Sequence, residues 1–255
     1  MSAPAAGVDG CPAGWVAAIS EDGAPSRARI AVFAAFADLL AALPPDAIVA
    51  VDMPIGLPGR VGRGGRGPES LVRAGLGERQ SSVFSIPSRA AVYAEPGPFA
   101  DEPARIAAHR RACEVALATS DPPKKCSIQA FGLFAKIREI DGLLRADPGL
   151  CLRVIESHPE AAFRKLNGDR AMGLPKKVRG RVHQPGMEER TALLERSGFD
   201  PALLARALPA RVGRDDLIDA CAMLLVAARH ARGETVSFPD PPAVDDYGIP
   251  VAIRV

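Results

Sequence analysis

Three times in this chain an apolar run of strand length ends in a carboxylate, with a turn sequence behind it. Residues 5–8 lead to Asp9, residues 47–51 to Asp52, and residues 150–155 to Glu156. Acids are depleted in strands because burying an unpaired carboxylate is costly. A single such acid is accounted for by an Asx-turn, in which Asp9 would bond the backbone of Gly10 or Cys11. Three of them raise another explanation. The strands would deliver their acids to one end of a sheet, as metal ligands or catalytic groups.

The segments between these runs define the sheet that could do this. Residues 5–8 and 15–19 flank the turn Gly10-Cys11-Pro12-Ala13-Gly14 and read as a β-hairpin. Residues 27–33 alternate polar and apolar side chains and extend it to a three-stranded meander. A short helix over 36–43 is stopped by Pro44 and Pro45. Residues 47–51 are continuously apolar, as suits a strand buried on both faces. Helical patterns follow at 68–79, 103–119, 128–144, 161–166, 188–197 and 201–208, with a last strand at 249–253. The helix over 128–144 has Ser127 as its N-cap and an apolar stripe through Phe131, Phe134 and Ile137.

A second group of acids opens the last strong helical pattern: Asp215, Asp216 and Asp219, followed by apolar residues to Arg232. Acids favour a first helical turn, and Asp215 reads as the N-cap. Asp216 and Asp219 are three apart and share a face. That face continues into an apolar, buried helix, where a carboxylate needs a cation. Oxygen ligands without a Cys or His cluster suit Mg²⁺ or Mn²⁺. The expected metal ligands are therefore Asp9, Asp52, Asp216 and Asp219, with Glu156 as an accessory acid. Such a cluster can serve phosphodiester cleavage.

Basic residues offer candidate phosphate contacts. Arg63 and Arg66 lie in a glycine-rich loop over 59–67 that lacks the Gly-Lys-Ser/Thr of a P-loop. Arg89 follows a run of hydroxyls, and Lys176 and Lys177 open a basic run to Arg181. Each also reads as part of a solvated loop. His158 reads as a turn residue or a support for a ligand rather than as one.

Composition narrows the classes. The 255 residues suffice for one large domain, expected over 1–255 with an insertion at about 57–125. With 32 basic against 30 acidic residues, net charge +2, no global charge argues for nucleic acid or membrane. Five cysteines, widely spaced and without a C-x-x-C, argue against a disulfide framework and against a zinc cluster. There is no apolar run long enough to span a membrane and no secretory leader pattern, so a cytoplasmic protein is expected.

Three antiparallel strands, a helix, an acid-bearing strand, a helix, another strand and a late acidic helix follow the ribonuclease H-like order. The Asp216–Asp219 pair resembles the terminal helix of Holliday-junction resolvases of that superfamily. The chain further resembles the family called domain of unknown function 429, whose members are predicted ribonuclease H-like nucleases. The matching segments are 7–16, 51–58, 81–84, 156–160 and 214–220, which together span nearly the whole chain. The family tends to carry Arg, Asp and Arg after the second of these, where this chain has Arg66, Glu69 and Arg73. The resemblance implies an α/β, ribonuclease H-like mixed sheet flanked by helices, and a nuclease-like activity on nucleic acid or another phosphoester. Two alternatives stand beside it. A phosphotransferase like actin or the sugar kinases would need two such domains and glycine-rich phosphate loops. A non-catalytic binding module would use the acids only as caps.

Overall fold

The computed structural model describes residues 3–255, so the first two residues of the expected domain lie outside the described residues. Strands β1 (Ala5–Cys11), β2 (Gly14–Ser20) and β3 (Arg29–Phe33) form the expected antiparallel meander. Helix α1 (Phe36–Ala41) leads to β4 (Ile48–Val51). Then come α2 (Pro68–Arg73), α3 (Arg89–Tyr93), α4 (Glu102–Ala118) and α5 (Ile128–Ala146), and the chain re-enters the sheet at β5 (Val154–Glu156). The second half holds α6 (Pro159–Leu166), β6 (Lys177–Val178), β7 (Arg181–Val182), α7 (Gln184–Arg196), α8 (Pro201–Ala205) and α9 (Arg214–Ala231). It ends in β8 (Ser237–Val244) and β9 (Pro250–Arg254).

The main sheet has the order β3-β2-β1-β4-β5, with β1 parallel to β4 and β4 parallel to β5. The fold is α/β, with a mixed sheet of ribonuclease H-like order flanked by helices. Side chains alternate across a sheet, and this parity sorts the core into two layers. Ala6, Val8, Val49, Val51 and Val154 face a core built with α1, α3, α4 and α5. Ala5, Cys11, Ala50 and Ile155 face α6, α7, α8 and α9.

Helix α9 lies centrally on the second face, and Leu217 to Ala228 are all buried. It packs on β1 through backbone. A Cβ at Gly7 would overlap the nitrogen of Leu224 and the carbonyl oxygen of Ala220. Only glycine lets the strand and helix approach so closely.

Three segments depart from the sequence reading. The strand expected over 150–155 begins as a 3₁₀ turn, Pro148–Leu152, held by an Asp147 bond from Gly149 N–H at 3.0 Å. The helix expected over 68–79 ends at Arg73, and Gly77 at φ +51° starts a separate 3₁₀ turn. The basic run from Lys176 forms the β6-β7 hairpin, turning through Arg179 and Gly180, both at positive φ.

Candidate carboxylate site

Parity and register decide which acids meet. Val8 pairs with Val51 across β1 and β4, so Asp9 and Asp52 come next on both strands and point to the α9 face. The Asp52 N–H donates to the Val8 carbonyl at 2.9 Å and carries the pairing to the strand end. Asp219 approaches from α9. One carboxylate oxygen from each of Asp9, Asp52 and Asp219 lies within 4.8 Å of the others. Asp9 and Asp219 are buried and Asp52 is half-buried.

Glu156 does not join them. It pairs with Val51 and therefore faces the opposite side of the sheet. There it accepts two bonds from Arg66, at 2.6 and 3.0 Å, and one from the Ile55 N–H at 2.7 Å. Arg66 also bonds Glu69 at 2.9 Å and is fully buried. The expected grouping of Glu156 with the other acids is thereby corrected: Glu156 is a partner for Arg66, and the Arg66 guanidinium is engaged internally by Glu156 and Glu69. The position in register with Asp52 falls instead to Ser157, whose buried hydroxyl has no hydrogen-bond partner.

The first turn of α9 is arranged differently from the sequence reading as well. The N-cap is Gly213, which has no side chain to cap the helix; its N–H donates to Asp216 Oδ2 at 2.8 Å, the return half of a capping box alone. Asp215 is the second residue of the helix and pairs with Lys177 at 2.5 Å. Asp216 lines the same cleft as the three converging acids but stands outside their tight group. Of the three, only Asp219, six positions in from the cap, reaches Asp9 and Asp52.

The remaining basic candidates divide. Lys176 is mostly buried and pairs with Asp219, so it enters the cluster as a cation. Arg89 is tied to Asp141 and, at 2.5 Å, to Asp245, and it stacks on Tyr247. It fastens the C-terminal segment to α5 rather than facing the cleft. Arg63 is exposed in its loop. His158 is the N-cap of α6, its Nδ1 accepting from the Glu160 N–H at 3.2 Å. Sequence reasoning missed the buried Glu160–Arg190 pair, with both carboxylate oxygens 2.7 Å from Nη2. Its only signal is an acid in the first turn of α6.

Electrostatics set these acids apart from surface carboxylates. Burial first, and then the charges of Asp52, Asp219 and Asp216, hold the Asp9 carboxyl well above its usual range. Burial lifts Asp52 to about 6 although Lys176 pulls it down. Burial likewise lifts Asp219 to about 7 against the pull of Lys176. Asp9 Oδ1 accepts from the Gly10 N–H at 2.6 Å, a bond to the next residue rather than the bond two residues on that defines an Asx-turn. Asp219 Oδ1 is buried with no partner at all. Several acids, one ammonium and an orphaned carboxylate oxygen fit a hard divalent cation, which takes oxygen ligands and neutralises their charge.

The acids border an open cleft of about 400 Å³. Ser82, Phe84, Glu160, Lys176 and Lys177 also line it. No helix of the described residues is long and apolar enough to cross a membrane. A family model described as a protein of unknown function (DUF429) matches residues 7–244. No curated protein and no solved structure matches the chain.

Proposed function

The chain belongs to the DUF429 family, and we propose that it is a divalent-metal-dependent phosphodiester hydrolase acting on nucleic acid or another phosphoester. The observation that carries this reading is the convergence of Asp9, Asp52 and Asp219, from three separate elements, within 4.8 Å. These three would hold Mg²⁺ or Mn²⁺. Once bound, such an ion supplies Lewis-acid polarisation of a phosphoryl oxygen and a water of lowered pKa.

The chain's own residues supply the rest. Asp216 places a further carboxylate on the cleft wall, where it can orient water. Lys176 and Lys177 set two ammonium groups against Asp219 and Asp215. They lower the repulsion an entering phosphodiester would meet from an otherwise acidic wall. Phe84, 37% exposed at the cleft, offers an apolar surface to a base or another flat group.

One observation favours a second reading. Lys176 already gives the acids a cation, as in a non-catalytic module whose charges are settled internally. The two readings part on metal-dependent cleavage. The purified protein, incubated with single- and double-stranded DNA and RNA oligonucleotides and with bis(p-nitrophenyl) phosphate, should cleave at least one of them with Mn²⁺ and none with EDTA. Asp52→Asn should abolish that cleavage. No cleavage of any of them, together with no Mn²⁺ binding, would favour the non-catalytic module.

A further inference from the structure

On the other side of the sheet from α9, two cysteines and a histidine come together that the sequence spacing does not link. His109 and Cys113 are one turn apart on α4, so their side chains share a face. Cys126 arrives from the loop ahead of α5, directly before the N-cap Ser127. The Cys113 and Cys126 sulfurs are 3.6 Å apart, and His109 Nε2 is 3.3 Å from Cys113 Sγ. All three ligand atoms lie within 4.8 Å of one another. Both cysteines are buried and His109 is half-buried.

We propose that His109, Cys113 and Cys126 form a zinc site, separate from the carboxylate cluster. The S–S separation of 3.6 Å and the S–N separation of 3.3 Å are close to a tetrahedron's edges. With Zn–S of about 2.3 Å and Zn–N of about 2.0–2.1 Å, two sulfurs on one zinc stand about 3.8 Å apart, and sulfur and nitrogen about 3.5 Å apart. A disulfide would need the sulfurs at about 2.0 Å and would leave His109 without a role. Thiolate and imidazole are the ligands that suit zinc, whereas the three-carboxylate cluster suits harder ions.

Charge also balances. Two thiolates and one Zn²⁺ sum to zero, so the buried site carries no net charge when filled. Without metal, burial and the neighbouring Cys113 push the Cys126 thiol up to about 12. The thiols are then held by hydrogen bonds. Cys113 Sγ donates to the Cys126 carbonyl at 3.4 Å, and His109 Nε2 lies 3.0 Å from the same oxygen. Metal entry forms two Zn–S bonds and one Zn–N bond and releases two thiol protons to solvent. Three protein ligands leave the fourth position for water. The filled site would clip the C-terminal half of α4 to the start of α5. It would also fix the loop whose Lys124 reaches the Arg63 carbonyl and Ser85 at 3.5 Å.

The test uses the full-length protein, stripped with EDTA and titrated with Co²⁺ as a spectroscopic stand-in for zinc. The expected result is a thiolate-to-cobalt charge-transfer band with tetrahedral d–d bands, saturating at one equivalent and displaced by Zn²⁺. Cys113→Ser should abolish the charge-transfer band, and Asp219→Asn should leave it intact. His109→Gln keeps both sulfurs and guards against a folding defect. It should weaken cobalt binding by about tenfold or more. Co²⁺ that binds without a charge-transfer band, or a band that survives Cys113→Ser, would overturn the proposal. A thiol count of three in the unfolded, unreduced protein, instead of the full five, would overturn it in favour of a disulfide.

Discussion

Asp219 carries the site at the scale of single residues, because it alone of the three acids that open α9 comes within 4.8 Å of both Asp9 and Asp52. The structure gives capping to Gly213 and Asp216 and leaves Asp219 against Asp9, Asp52 and Lys176. Asp219→Asn should therefore leave the metal-free protein as stable as the wild type or more so, because a like charge leaves a crowded cluster. Thermal melts in EDTA check this, and a clear drop in Tm would return Asp219 to a structural role. The same reasoning fixes a pH dependence. Asp52 and Asp219 are raised to about 6 and about 7 when folded, from about 3.9 in an unfolded chain. The folded state therefore binds their protons more tightly than the unfolded one. Their contribution to stability is complete below about pH 4 and is lost as pH rises through 6 and 7. Melts in EDTA from pH 5 to 8 should show wild-type stability falling more steeply than that of Asp219→Asn, and equal slopes would refute the assignment. Arg66 answers to different physics. Fully buried between Glu156 and Glu69, its replacement by Ala should cost roughly 3–5 kcal/mol, by urea melts, without touching metal affinity.

At the scale of elements, the site depends on how closely α9 lies on β1, and Gly7 sets that distance. Gly7→Ala should push the helix outward, lower stability by several kcal/mol by overpacking, and weaken Mn²⁺ binding together with it. Gly132, exposed on α5 with open space around its Cα, is the control: Gly132→Ala should stabilise by about 0.5–1 kcal/mol and leave binding unchanged. Elements were also where the sequence was most and least legible. The hairpin at 10–14, the acid at the end of β4 and the apolar α9 could be read because periodicity and turn residues report them directly. Glu156 was misplaced because the strand-then-acid pattern carries no register, and a one-residue difference in parity turns a side chain to the other face. Arg66, Arg89 and Lys176 looked like solvated basic residues because their partners Glu156, Asp245 and Asp219 are distant in the chain. His109, Cys113 and Cys126 were invisible for the same reason, the two cysteines standing thirteen positions apart.

At the scale of the whole molecule, the sheet separates two chemistries. Its α9 face carries hard oxygen ligands at the mouth of a cleft, and its other face carries the sulfur and imidazole group between α4 and α5. The order β3-β2-β1-β4-β5 makes the first of these possible, because the parallel β1 and β4 end side by side and both send an acid toward α9. The central claim is that these acids form one divalent-metal site, and Mn²⁺ titration by calorimetry tests it most directly. Saturable binding is expected in the wild type, sharply weakened in Asp9→Asn, Asp52→Asn and Asp219→Asn, and unchanged in Cys113→Ser. Wild-type protein that binds no Mn²⁺, or Asp219→Asn that binds it as the wild type does, would mean that these acids do not form a metal site.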